Sequence, residues 1–237
     1  MQRGTTDMPL HLQKEIENLK RKILALGAAV ETNVRDAVIA LDNRDDELAR
    51  NVISRDPEID RREVEIEEDS LKALALHQPV AIDLRFIVTV LKINNDLERI
   101  GDLAVNIAER AAFLATVPKP DISLDFRTMT GAVRRMLRDS LDALVNLDTS
   151  AAQHVCAADD QVDNMNRQMY VTIQEAFARL PDEIPALVHL LSTSRHLERI
   201  ADHATNIAED VIYMVEGRII RHRTEQYAAE RRQKSHD

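Results

Sequence analysis

Four oxygen-bearing side chains occur in this chain at a fixed spacing, and then occur again. Glu98, Asp102, Asn106 and Glu109 lie in LERIGDLAVNIAER (97–110); Glu198, Asp202, Asn206 and Glu209 lie in LERIADHATNIAED (197–210). Ten of the fourteen positions are identical, at an offset of one hundred residues. Steps of four, four and three residues return a helix to nearly the same side. With Glu98 at zero, the other three fall near about 40°, about 80° and about 20°. Leu97, Ile100, Ala104, Ile107 and Ala111 centre on the opposite side. The oxygens therefore form an outward or groove-facing ridge with neighbours roughly 6 Å apart. Like charges in such a row repel one another, and the row itself holds no Lys or Arg. The pattern calls for a cation.

A second acidic pair precedes each ridge. Asp56 and Asp60 stand in DPEID, and Asp159 and Asp163 in DDQVD, again four residues apart. If the helices carrying these pairs neighbour the ridges, each copy gathers four or more hard oxygen donors on one patch. Such donors suit Mg, Ca, Mn or oxidised iron, and Zn less well. Two readings compete. Pro57 gives Asp56 an alternative role as a helix N-cap, and Arg99 and Arg199 flank the ridges closely enough to neutralise them without a metal.

Enzyme chemistry finds little footing. The chain has no G-x-S-x-G, P-loop, H-E-x-x-H or Gly-rich phosphate cradle. None of its eight histidines follows a Glu by three residues, which counts against a di-iron oxidase. Cys156 reads as a small buried residue, and the methionines as core filler. His196 and His203 read as incidental, because their counterparts are Asp96 and Leu103.

The elements needed to position the ridges follow from composition and punctuation. Apolar residues at 44% suffice for a core, while 3% aromatics, five Gly and an Ala, Leu, Glu and Arg bias favour helix. Prolines 9, 79, 118, 120, 181 and 185 fall between helical patterns. Helices are expected over about 10–42, from Asp46 to about Leu76, from Pro79 to about Ala115, over 123–148 and 150–179, and from Pro185 to at least Glu216. The second should kink or restart at Pro57. Asp56 and Leu41 match Asp159 and Leu144 at an offset of 103, so the duplication spans all three helices of each copy. The fold expected is all-α: two tandem antiparallel three-helix bundles, at 9–115 and 122–217, with a 116–121 linker. A basic tail covers 218–237. A net charge of −10 repels nucleic acid and anionic membrane. One cysteine, no long apolar run and no signal-peptide core point to the cytosol.

These residues resemble the phosphate-uptake regulator family, PhoU, over nearly the whole chain. The doubled LERIGDLAVNIAE and LERIADHATNIAE are the most specific part. The run from Gln78 to Arg85, QPVAIDLR, is also similar, although its counterpart at 185–188 lacks Asp-Leu-Arg. The family's E(D)-x-x-x-D signature is matched by Asp56/Asp60, Glu98/Asp102, Asp159/Asp163 and Glu198/Asp202. The resemblance implies that these hold a multinuclear iron or zinc cluster, or Mg or Mn; Asn106, Glu109, Asn206 and Glu209 extend the set on geometry. It further implies a non-enzymatic cytoplasmic regulator that restrains the phosphate-specific ABC transporter through its ATPase subunit and the phosphate-sensing histidine kinase. Such a protein would be peripheral to the membrane through its partners and a homodimer. The rival expectations are a metal-dependent phosphohydrolase or oxidase, and a metal-free helical scaffold.

Overall fold

A computed structural model describes the backbone of residues 7–217 and the side chains of 11–217, so the basic tail lies outside the described residues. Six helices follow in order: α1 (Asp7–Asn43), α2 (Asp46–His77), α3 (Ala81–Ala115), α4 (Phe126–Asn146), α5 (Thr149–Arg179) and α6 (Ile184–Glu216). A 3-10 turn, Pro181–Glu183, precedes the last. No strand occurs among the described residues. Asp45, Asp125 and Asp148 cap α2, α4 and α5, each accepting hydrogen bonds from backbone N–H groups of the first turn.

Pro57 neither ends nor restarts α2, which runs through it. Asp56 is therefore mid-helix and is not an N-cap. An interior proline costs about 3 kcal/mol, but the fully buried Val52 and Ile59 lie on either side of it. Each such side chain stabilises by roughly 1.5–3 kcal/mol, so packing against α3 holds the helix together.

The two expected bundles are fused. One continuous core takes buried residues from all six helices, and α3 packs against α6 as closely as it packs within its own repeat. The helices cross antiparallel, since Arg85, Lys92 and Asp96 of α3 meet Met214, Asp210 and His203 of α6. A smaller contact joins α1 to α4, where Arg134 donates twice to Glu31, at 3.1 and 2.8 Å. Glu31 and Arg134 are counterparts at the offset of 103. A position that meets its own counterpart marks a local two-fold between the repeats.

Close approach at this contact requires a residue without a side chain. A Cβ placed on Gly27 of α1 would sit 2.2 Å from Leu141 Cδ1 of α4. The Leu141 tip can yield to a methyl but not to a branched side chain. Gly27→Val should destabilise the protein by about 1–3 kcal/mol through overpacking, measured by urea unfolding, whereas Gly131→Val, where the nearest atom is the Arg135 guanidinium at 3.6 Å, should cost far less.

Candidate cation site

The antiparallel run of α2 beside α3 sets Asp56 and Asp60 opposite Asp102 and Glu98. A Cβ on Gly101 would be 3.3 Å from Ile59 Cγ2 and 3.9 Å from Asp56 Oδ1, so the α2 carboxylate lies directly over the ridge helix. The four groups feel one another. Burial first, then the charges of Asp60 and Asp102, push Asp56 above the ordinary carboxylate range. Burial and Asp102 do the same to Glu98, with Arg99 opposing and Asp60 and Glu63 adding.

The second repeat builds the same cluster from α5 and α6. Burial, then Asp202 and Asp163, push Asp159 up to about 6, with a hydrogen bond from the Thr205 hydroxyl opposing. Glu198 is raised by burial, Asp202 and Asp163, and Asp202 by burial and Asp163. Asp163 and Glu198 also line one open groove with Asn166, Arg167, Tyr170 and Arg195. The four acidic pairs thus form two groups of four carboxylates, one per repeat.

The other half of each ridge does not join them. Asn106 turns back on its own helix and donates to the Asp102 carbonyl at 2.8 Å. Glu109 is exposed and pairs with Arg110 at 3.3 Å. Asn206 is half-buried. Glu209 departs most from the outward ridge: it is buried, 7% exposed, and its charge acts on Cys156 of α5. Burial and that charge push the Cys156 thiol up to about 12, consistent with an inert residue. Helical angle alone placed Glu209 outward, but α5 covers that part of α6.

Two oxygens bear on whether the clusters fit a cation. Glu98 Oε2 is shielded from solvent and has no hydrogen-bond partner; Asp159 Oδ1 is shielded as well, with the Thr205 hydroxyl acting on its carboxyl. A buried carboxylate oxygen without a donor is costly, and a cation beside it would remove that cost. Among the described residues no three His, Cys, Asp or Glu side chains converge as a ready ligand set. The four carboxylates of each repeat therefore feel one another's charge without closing into a ligand cage. Arg99 reaches Glu98 at 3.4 Å and Asp102 at 3.5 Å, supplying part of the neutralisation that competes with a metal. Arg199 makes no ion pair with Glu198 or Asp202, although its charge is felt by both.

Several residues escaped the sequence reading. His203 is not incidental: its Nδ1 lies 2.8 Å from Asp96 Oδ1 and ties the two repeats together. Lys92 bridges the same seam, 3.1 Å from the buried Asp210. Glu63, raised by burial, Glu67 and Asp60, borders the first cluster. It lies three residues after Asp60, on the same helix side, so spacing could have found it. Its counterpart Asn166 is no acid, and a search for duplicated acids passes over it.

Comparison with known proteins now bears on the whole chain. The PhoU domain model matches twice, at residues 23–111 and 126–211. The chain belongs to the PhoU family. A phosphate-specific transport system accessory protein PhoU homolog from Aquifex aeolicus is 40% identical over 215 residues, covering 90% of this chain and 96% of that protein. The crystal structure of PhoU from Pseudomonas aeruginosa superposes with a TM-score of 0.84 at 36% identity, covering 87% of this chain and 99% of that one. The phosphate transport system regulatory protein PhoU from Streptococcus pneumoniae gives 0.79 at 29%, covering 88% and 98%. The six-helix tandem repeat is thus the PhoU fold, and these relatives are named as accessory or regulatory proteins of phosphate transport, not as enzymes.

The raised Asp159 carboxyl gives this PhoU-family protein a measurable signature. A carboxyl whose folded value exceeds its unfolded one destabilises the fold above that folded value, and the penalty fades as pH falls. His196 works against it, since burial and the Arg110 charge lower it to about 4. A paired comparison isolates Asp159. With chelator present, Asp159→Asn should melt above wild type at pH 7.5, and the gap should close as pH falls through about 6 toward 4. A gap that does not change with pH would refute the coupling.

Proposed function

We propose that this PhoU-family chain is a non-enzymatic, cytoplasmic negative regulator of phosphate uptake and of the phosphate-starvation regulon. It acts as a cation-binding adaptor between the ATPase subunit of the phosphate-specific ABC transporter and the phosphate-sensing histidine kinase. The observation that carries this reading is the gathering of four acidic pairs into two surface clusters, each with a carboxylate oxygen shielded from solvent. The names of the relatives supply the phosphate-transport context.

Asp56, Asp60, Glu98 and Asp102 would hold one cation group, and Asp159, Asp163, Glu198 and Asp202 the other. Bound iron, zinc, manganese or magnesium supplies positive charge that neutralises the clusters. The donor set is all oxygen, which favours hard ions over zinc. The chain's own part is to hold the carboxylates on the long, well-packed α2/α3 and α5/α6 pairs, so that bound charge fixes surface shape and potential where partners dock. No helix among the described residues is long and apolar enough to cross a membrane, which agrees with reaching the transporter through its ATPase subunit. Exposed Leu76, Val80, Ile82 and Leu84 near the α2–α3 turn offer an apolar surface for a partner or a second copy.

Mn2+ at about a hundred times its dissociation constant should stabilise the chelator-treated protein by about 2.7 kcal/mol per site. Melting temperature should rise accordingly, and less so in Glu98→Gln/Asp102→Asn. Chelator should also reduce co-purification of the transporter ATPase. If Mn2+, ferric iron and Zn2+ all leave the melting temperature unmoved, the cation reading fails.

A further inference from the structure

Residues 218–237 carry six Lys or Arg against three acids, and one face of the body is matched to them in charge. The outer side of α2 lines up Val64, Glu67, Glu68 and Leu71 within about 100° of arc. All four are exposed. Among the described residues no cation pairs with Glu67 or Glu68, whereas the neighbouring Glu65 and Asp69 are held by Lys22. On its inner side α2 is tethered to α3, where Asn94 Nδ2 donates at 2.9 Å to both the main-chain and side-chain oxygens of Glu63. The stripe is therefore a fixed outer surface. In the second repeat Ser194 makes the equivalent tether to Asn166, but the counterpart stripe is Arg167, Tyr170, Val171 and Gln174, with no acid.

The stripe leads to an apolar end beside the place where α6 stops. Val80 is 74% exposed and Ile82 41%. Ile82 lies one turn before Arg85 on the same side of α3, and Arg85 donates to the Met214 carbonyl at 2.8 Å. In that antiparallel register Ile82 and Val80 lie level with Gly217 and the positions after it, beyond the last residue of α6. Gly217 turns the chain at φ 69° beside the Arg85 guanidinium. The next apolar residues of the sequence are Ile219 and Ile220.

We infer that residues 219–234 dock on the α2–α3 end of the first repeat, with Ile219 and Ile220 on Val80 and Ile82, and Arg231, Arg232 and Lys234 on Glu67 and Glu68. The reach suffices. Glu67 lies about 15 Å along α2 from His77, and the stretch from Gly217 to Arg231 spans up to about 45 Å when extended. Each exposed ion pair contributes little. The contact is intramolecular, however, with an effective concentration on the order of millimolar, so it closes without a tight interface. A partner that uses this apolar end must first displace the tail, which makes the contact a built-in competitor.

The experiment is hydrogen–deuterium exchange of the full chain in about 0.1 M salt, with chelator present so that no bound metal contributes. Wild type should protect the amides of residues 74–84, and Ile219→Asp/Ile220→Asp should raise their exchange about tenfold. Limited trypsin digestion reads the charged half. Cleavage after Arg231 and Arg232 should be about three- to tenfold faster in Glu67→Gln/Glu68→Gln than in wild type, and about 1 M salt should abolish that difference by screening. Circular dichroism checks that each variant keeps its helices. Equal exchange in wild type and Ile219→Asp/Ile220→Asp, or cleavage indifferent to Glu67 and Glu68, overturns the docking. Protection that grows with protein concentration assigns the surface to a second copy and overturns it as well.

Discussion

Everything in this molecule hangs on the antiparallel packing of α3 against α6. Each is the third helix of its repeat, and each must bury more of its circumference than a bundle helix on the outside. The sequence provides for this with small residues: Ala104, Ala108 and Ala111 in α3 and Ala201, Ala204 and Ala208 in α6 are all fully buried. Alanine lets backbones approach while keeping full helix propensity. The seam is closed at its polar points by Asp96–His203, Lys92–Asp210 and Arg85 on the Met214 carbonyl. Each repeat, at roughly a hundred residues, is of ordinary domain size, yet the two do not keep separate cores. A shared core gives both a third packing surface.

That packing is also what tolerates the carboxylate clusters. Two like charges about 6 Å apart repel by roughly 1–3 kcal/mol across the range of effective dielectric at a protein surface. Several such pairs per repeat oppose the fold. Against them stand Leu97, Ile100, Ile107, Leu197, Ile200 and Ile207 on the opposite sides of the same helices, all fully buried. At roughly 1.5–3 kcal/mol each, these apolar faces outweigh the repulsion. The acidic side chains then have no freedom to move apart by moving their helices. Repulsion that cannot relax by motion is relieved by protonation or by a cation; burial raises the carboxyls of Asp56, Glu98, Asp159, Glu198 and Asp202 most, and their mutual repulsion raises them further.

Periodicity and the doubled LERI segment made the six helices and the pairing of α2 with α3 and α5 with α6 legible from residues alone. The fusion of the repeats was not, because an apolar stripe says that a face is buried but not against which partner. Pro57 misled for the reverse reason: a local rule about proline yields to the packing of Val52 and Ile59. Glu209 shows the limit of helical angle. Glu109 and Glu209 occupy the same position in the repeat, yet one is exposed and the other is 7% exposed. Side-chain burial belongs to the assembled neighbours, so identity between copies does not carry it.

Differences between the copies come in two physical kinds. Where the local two-fold passes, a residue meets its own counterpart, and two glutamates there would repel; Glu31 facing Arg134 is the outcome such a contact demands. A second kind is compensated within a repeat: Gly101 packs under Ile59, while the counterpart positions hold Ala201 and Val162, so a methyl gained on one helix matches one lost on the other. Neither kind alters the chemistry of the surface. Glu63 against Asn166 belongs to neither. It lies on α2, away from the α1–α4 and α3–α6 seams, and its tether persists with the donor changed from Asn94 to Ser194. Packing leaves that exchange of a charge for an amide unexplained, and its effect falls on the electrostatics of the neighbouring cluster. The duplication accordingly fixes the architecture of both sites, while their difference resides in the few positions that duplication does not explain.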